Sequence, residues 1–348
     1  MKFFTGILAL CLAVLTLSET KATIRIVDNN SFDPANFTTL QAAHDGAVSG
    51  DTLYVIGSGA NYGNLSATKQ LLIFGPGFFL GENPQTQANP VPAKVGSITF
   101  NTGSENSLMT GITFENQVTA NASNITFKRN RHIFDYDLTS IISIGNNVSN
   151  IFIVQSHIWA TDVTYDHSSY YSYARCINVG SNCQNIVIKN NYISHNYSNS
   201  ANHRVIYSPS TSSVDFQNNV VWGKVTIYNS IVYSNIFRFG VFDGGSNDIQ
   251  YNIGDATQFG TSNGNQENID MTTVFETSGT SDGKWKLVSG SPAISAGING
   301  ADCGMFGGPN PYVLSGIPVI PSIYFFFGSS SGSNSTGLPI QVKIKSHN

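Results

Sequence analysis

Charged side chains are scarce in this 348-residue sequence, so the places where they gather with aromatic rings are informative. Three runs stand out. The first is Asp135-Tyr136-Asp137. The second extends from Trp159 through Asp162, Tyr165, Asp166, His167, Tyr170, Tyr171 and Tyr173 to Arg175. The third holds His195, Tyr197, His203 and Arg204, and is followed by Trp222 and Lys224. Hydrolysis of a glycosidic bond takes two carboxylates at a set separation, for which Asp135, Asp137, Asp162 and Asp166 are candidates. Removal of a proton beside a sugar carboxylate takes a base and a cation that steadies the developing negative charge. His167, His195, His203, Arg175, Arg204 and Lys189 are eligible, and Lys128, Arg129, Arg131 and His132 form a second basic group upstream. Binding without catalysis asks less. The rings of Trp159, Tyr165, Tyr170, Tyr171, Tyr197 and Trp222 can lie on the apolar faces of pyranoses while Lys224 and the arginines hold polar substituents.

Side chains this far apart act together only if the backbone stacks them. A recurring phrase does that: apolar, any, apolar, two polar residues, Asn or Ser, any, apolar. It reads Ile151-Phe-Ile153-Val-Gln-Ser156-His-Ile158, Ile186-Val-Ile188-Lys-Asn-Asn191-Tyr-Ile193, Val214-Asp-Phe216-Gln-Asn-Asn219-Val-Val221 and Val225-Thr-Ile227-Tyr-Asn-Ser230-Ile-Val232, with weaker copies from Ile112, Ile125 and Ile249. Each copy is a short strand with period-2 alternation, a polar corner and a second strand. Units repeating in this way stack into a solenoid, with apolar rows inside and a ladder of asparagines at the corner. Most Ile, Val, Phe and Asn residues of the phrases are therefore core or corner. Equal position in successive coils means adjacency in space, so the three runs above are expected on one loop-rich face.

The formal charge of −4 and the lack of a large basic patch exclude a nucleic-acid partner. Met1-Lys2, an apolar run from Phe3 to Leu17 and a small residue at Ala22 describe a secretory signal over residues 1–22, with an uncleaved anchor as the alternative. No later stretch is long enough to span a bilayer. Beyond Cys11, three cysteines remain; Cys176 and Cys183 read as small buried apolar residues or as a local bridge. Residues 23–310 read as the solenoid. Residues 311–348 read as a proline-punctuated extended segment followed by a hairpin, Ser322–Phe327 with Leu338–Lys345. Glu82 to Pro92 reads as an exposed loop.

The ends of the solenoid carry a family resemblance. A short helix containing Thr39-Leu40-Gln41-Ala42-Ala43, followed by Gly50-Asp51-Thr52-Leu53-Tyr54-Val55, resembles the N-terminal cap and first coil of secreted bacterial right-handed parallel β-helix proteins of the pectate-lyase-like superfamily. Gly290-Ser-Pro-Ala-Ile-Ser-Ala-Gly297 with Asp302-Cys-Gly-Met-Phe-Gly-Gly308 is similar to the closing coil of such proteins. The resemblance implies an all-β chain, a right-handed parallel β-helix with a short N-terminal capping helix and a C-terminal β-hairpin extension. It does not fix an activity. The Asn-Thr-Asp, Asp-Asp, Gly-His-Gly and Arg-Ile-Lys motifs of its pectin hydrolases are absent, as is the acidic calcium cluster of its pectate lyases, so no cofactor is expected and calcium has no support in the sequence. The reading favoured is a secreted or cell-surface protein that binds extracellular polysaccharide through one loop-rich face. A divergent polysaccharide lyase or glycoside hydrolase using the same face is the alternative. Neither reading names the glycan or the oligomeric state.

Overall fold

A computed structural model describes residues 22–30, 35–134, 140–160, 175–195, 204–335 and 337–346. Residues 1–21, which carry most of the expected signal, lie outside this set. Among the described residues the chain winds a right-handed parallel β-helix with three faces: one sheet of ten strands and two of eight, all parallel. A typical coil runs from Gln184–Lys189 in the first sheet through Tyr192–His195 in the second to Arg204–Tyr207 in the third.

The repeated phrase explains the winding. Its two apolar positions stack in register, Ile125 on Ile151 on Ile186 on Val214, and Phe127 on Ile153 on Ile188 on Phe216. All eight are buried. Alternation sends the residues between them to the outer face. The polar pair makes the corner between the first and second sheets. Its first member adopts a left-handed backbone, at Asn190, Asn218 and Ser234 among others. Its second member forms the buried ladder. Asn191 Oδ1 accepts from the backbone N–H of Ser156 at 2.8 Å, Asn219 from Asn191 at 3.0 Å, Asn235 from Asn219 at 2.9 Å and Asn252 from Asn235 at 3.0 Å. The amide nitrogens of Asn191 and Asn219 donate to the carbonyls of Ile153 and Ile188, both at 2.8 Å, so polar atoms sealed from water are paired. The copy at Val225 occupies a different corner. Val225–Thr226 lies in the third sheet and Ile231–Tyr233 in the first, so this copy turns between those two faces.

At the N-terminal end the helix Leu40–Gly46, capped by Thr39 Oγ1 accepting from Ala42 N–H at 3.2 Å, packs Leu40 and Ala43 on the first coil. Buried Asp51 explains the Gly-Asp-Thr phrase. It accepts from the backbone N–H of Thr23 and Val48 and from Arg25 Nε at 2.6 Å, tying the first two strands of the first sheet together.

The C-terminal third departs from expectation. The segment from 290 to 308 does not close the stack as a further coil; among the described residues the last strand joined to the helix is Ile253–Gly254. The chain instead folds back over the outside as a strap in two passes: residues 274–288 cover part of the second sheet and reach the loop at Glu82, the chain returns to Ser234 at Ile298, and a second pass, residues 302–317, runs towards the N-terminal end. It follows the corner between the first and second sheets, where the left-handed residues of successive coils hold it. Ser234 O accepts from Gly304 N–H at 2.8 Å, and Asn218 Nδ2 donates to Asp302 O at 3.1 Å. Asn190 Nδ2 donates to Gly307 O at 2.8 Å, Gln155 Nε2 to Pro311 O at 2.6 Å, and Arg129 to Ile317 O at 2.7 Å. Gly304 has φ +84°, and a Cβ there would stand 2.7 Å from Ile236, so the strap passes closest to the sheet where no side chain is present. The outward residues Tyr192, Val220, Ile236 and Ile253 are apolar because the strap buries them, with Val274, Phe275, Trp285, Met305 and Tyr312, in a second core. A parallel sheet covered on both faces reads as apolar throughout.

The loop from Glu82 to Pro92 is likewise less exposed than its composition implies. Asn83 and Thr86 are buried, and Asn83 meets the strap at the carboxylate of Asp282. That fully buried carboxylate accepts from Asn83 Nδ2 at 3.0 Å, Thr280 Oγ1 at 3.0 Å, Ser315 N–H at 2.7 Å and Tyr312 Oη at 3.3 Å. Replacing Asp282 with Ala strands these donors, at about 1–3 kcal/mol for each that stays dry and unpaired. Asp282→Ala is therefore expected to lower the urea midpoint by an amount equivalent to about 2 kcal/mol and to alter Trp285 fluorescence first, whereas an unchanged midpoint would deny the carboxylate its structural role. The expected hairpin is present as Ser322–Gly328 paired antiparallel with Ile340–Lys345. Cys176, Cys183 and Cys303 are buried and unbridged.

Candidate functional site

Outward positions of the second sheet, some of them roofed by the strap, form the floor of a cleft of about 450 Å³. Two rows of register partners build that floor. Arg131 is followed by His157 and Tyr192, and Trp159 by Ser194 and Trp222. Arg238 follows Ile236 and Phe237 in the next coil and extends the second row. The opposite wall comes from the strap, chiefly Phe275, Ser281, Lys284 and Trp285, and Phe79 closes one end. All three tryptophans of the sequence line this one cleft.

Stacked rings give the floor its shape. His157 lies on Tyr192 with centroids 4.8 Å apart, and Tyr192 lies on Trp285 at 4.6 Å. Arg238 sits 4.8 Å from the Trp222 ring and 5.7 Å from Trp285, and Arg131 sits 4.4 Å from Phe79. Guanidinium groups over ring faces are held flat with their edges free to bond. Lys284 adds a third cation, and among the described residues no aspartate or glutamate lines the cleft. Neither arginine is paired with a carboxylate among the described residues. Glu82, whose charge reaches Arg131, is bonded to the backbone N–H and Oγ of Ser281.

Burial, with the charges of Arg131 and Lys284 beside it, pushes the His157 imidazole down to about 3. Burial pushes the Tyr192 phenol up to about 12. Both are neutral at physiological pH and far from the range in which proton transfer is efficient. The cleft therefore presents flat apolar faces beside fixed positive charge.

The residues singled out from sequence divide between two faces. Trp159 and Trp222 line the cleft. Arg175 and Arg204 are register partners in the third sheet, around the corner from it. The Arg175 guanidinium lies 3.9 Å from the Tyr207 ring and bonds Asn178, and Arg204 Nε donates to Thr226 Oγ1 at 2.8 Å. Lys224, on the short link between the second and third sheets, pairs with Asp243 at 2.7 Å. His195 is buried at the end of its strand in the second sheet. Asp135, Asp137, Asp162, Tyr165, Asp166, His167, Tyr170, Tyr171, Tyr197 and His203 lie outside the described residues. The strands that flank those three runs all end in the second sheet and resume in the third. The upstream basic group splits: Arg129 is a buried corner bonded to the strap, Arg131 faces the cleft and His132 points into the core. Sequence reasoning missed Tyr192, Arg238, Lys284 and Trp285. Arg238 was within reach, because extending the strand phrase puts it in register with Trp222; Lys284 and Trp285 belong to no repeat.

Among the described residues no three His, Cys, Asp or Glu side chains stand close enough to hold a metal ion, and no helix is long and apolar enough to cross a membrane. No family model and no curated protein matches the sequence. Among solved structures, the crystal structure of pectate lyase Pel9A is similar, with a TM-score of 0.43 and 12% sequence identity over 82% of this chain and 96% of that chain.

Proposed function

We propose that this chain is a secreted or cell-surface β-helix protein that binds an acidic extracellular polysaccharide in the cleft on its second sheet. One observation carries the reading: the three tryptophans of the sequence converge there with Arg131, Arg238 and Lys284, and among the described residues no carboxylate joins them. Indole faces cover the C–H faces of sugar rings, and planar guanidinium groups match carboxylate or sulfate edges. The face is shared between strand residues, which are rigid, and the strap, which the Asp282 carboxylate fixes in place. Affinity electrophoresis in gels containing polygalacturonate, alginate or a sulfated glycan, with a neutral glucan as control, tests it. Retention by an acidic gel that falls with added salt is expected. Trp222→Ala should weaken it by about 1–3 kcal/mol, roughly fivefold to 150-fold, by analogy with the loss of other stacking platforms. Arg238→Ala should weaken it on acidic gels alone. Equal retention of both variants would dismiss the cleft.

The third-sheet pair Arg175 and Arg204, flanking Tyr207, favours a second reading in which a uronate is cleaved by elimination beside this pair. Formation of unsaturated uronate, followed by its absorbance during the same screen, separates catalysis from retention.

A further inference from the structure

The C-terminal hairpin goes beyond the polysaccharide reading. Among the described residues its hydrogen bonds to the rest of the chain gather near its base, where Ala88 N–H donates to Ile323 O at 2.7 Å, Ser322 Oγ to Thr86 O at 2.9 Å and Lys345 Nζ to Gln85 Oε1 at 3.5 Å. Its register separates two faces. Ile323 pairs with Ile344, Phe326 with Val342 and Gly328 with Ile340; one step over, Phe325 pairs with Lys343, Phe327 with Gln341 and Ser322 with Lys345. The paired positions of the first face carry no polar side-chain atom, Tyr324 standing unpaired at the register shift, yet Ile323, Phe326, Ile340, Val342 and Ile344 are 43–63% exposed. A two-stranded hairpin with nothing against it is marginal in water, so this face calls for an apolar partner.

We infer that the hairpin docks on an anionic lipid surface, with its apolar face sunk into the headgroup boundary. Charge is the first argument. No aspartate or glutamate follows Asp302 in a chain of net charge −4, whereas Lys343 and Lys345 lie on the second strand of the hairpin. The acid-free, lysine-bearing part of the molecule is thus the part that exposes its greasiest surface, the combination that binds an anionic membrane interface. Both lysines lie on the opposite face, Lys343 Nζ 5.1 Å from the Phe325 ring and Lys345 Nζ on Gln85, and each swings round the open edge of its strand to meet headgroups on docking. Size is the second argument. The five side chains expose an area on the order of 500 Å², enough to mark an interaction site on a monomer but short of the ~800 Å² that each partner contributes to a stable specific dimer. A sugar is a poor occupant, because the face offers its hydroxyls nothing to bond.

Flotation of the full chain with vesicles tests this, comparing phosphatidylcholine alone with phosphatidylcholine plus phosphatidylglycerol. The protein should float with the anionic vesicles and far less with the neutral ones, and salt should reduce the difference. Phe326→Asp and Ile344→Asp should each reduce flotation at least tenfold. Lys343→Glu with Lys345→Glu should reduce it on anionic vesicles only, by about fivefold per charge. All variants should keep the parent melting temperature and glycan retention, because the hairpin lies apart from the cleft; loss of glycan retention in the parent would overturn the polysaccharide reading and leave this one standing. Vesicle binding that survives Phe326→Asp, or no vesicle binding at all, would overturn the proposal. A concentration-dependent dimer seen by sedimentation without vesicle binding, and abolished by Phe326→Asp, would overturn it in favour of contact between two copies.

Discussion

Replacing Ile188 with Asp is expected to prevent the chain from reaching a stable fold. Ile188 has no exposed surface and is stacked between Ile153 and Phe216 in the interior row. A carboxylate there loses the apolar burial of the isoleucine and meets no donor, a combination that exceeds about 4 kcal/mol in most cores. Stability in a stacked array is a sum of coils and the contacts between neighbours, so one broken layer uncouples the coils on either side. The strap does not rescue the layer, because it crosses the outside of the stack at the Asn190 corner and never enters it. The adjacent Val187 supplies the control. It points outward, half-buried, opposite Asp215, so Val187→Lys should change stability by less than about 1 kcal/mol. A single-residue step moving the outcome from loss of fold to near neutrality is the signature of a strand register. Circular dichroism melts of both variants check it, and an Ile188→Asp protein that melts like the parent would refute the stacking of these rows.

Interior rows and the asparagine ladder were legible in the sequence because each is written by neighbouring residues. Period-2 alternation puts Ile186 and Ile188 on one side, and the two polar residues after Ile188 can only be a corner. The same local grammar could not say which corner. Val225-Thr-Ile227-Tyr-Asn-Ser230 has the chemistry of the copy at Ile186 but turns between the third and first sheets. Apolar residues followed by a polar pair satisfy either bend equally well. The strap was not legible. Its contacts join residues more than a hundred positions apart, such as Gln155 with Pro311 and Arg129 with Ile317, and its proline and glycine content is that of a terminal coil as much as of a returning segment.

The cleft shows the same division. Trp159 and Trp222 stood out because aromatic residues were counted where the coils repeat. Tyr192 did not, since an aromatic residue at an outward position of a covered sheet is indistinguishable from core until the cover is known. Its other wall, Lys284 and Trp285, comes from the strap and could be found only with it. The histidines separate along the same line. His132 and His157 are in adjacent coils, yet His132 faces inward against Phe114 and His157 faces outward beneath the strap.

Those two histidines are expected to dominate the molecule's response to mild acid. Each is fully enclosed, and burial holds each imidazole down to about 3, against 6.5 when free; at His157 the charges of Arg131 and Lys284 add to the effect. His132 stacks on Phe114 at 4.5 Å, and neither of its ring nitrogens has a hydrogen-bond partner among the described residues. The folded state therefore keeps both rings neutral while the unfolded chain takes up a proton on each below about pH 6.5. The stability that neutral burial supports is fully present above the unfolded pKa of 6.5 and drains as pH falls towards the folded value near 3. A shift of this size is worth several kcal/mol per histidine at the acid limit, at roughly 1.4 kcal/mol per pH unit. Urea midpoints are expected to hold steady from pH 8 to about 7 and then to fall between about pH 6 and 4, before most carboxylates protonate. His132→Leu removes one titrating ring without removing a hydrogen bond and should roughly halve the slope in that interval, leaving the midpoint near neutrality unchanged or slightly raised. His132→Gln, which carries a polar group but no proton to gain, should flatten the profile equally while lowering the whole curve. A variant profile parallel to that of the parent through this interval would show that the buried imidazoles are not the groups that acid attacks.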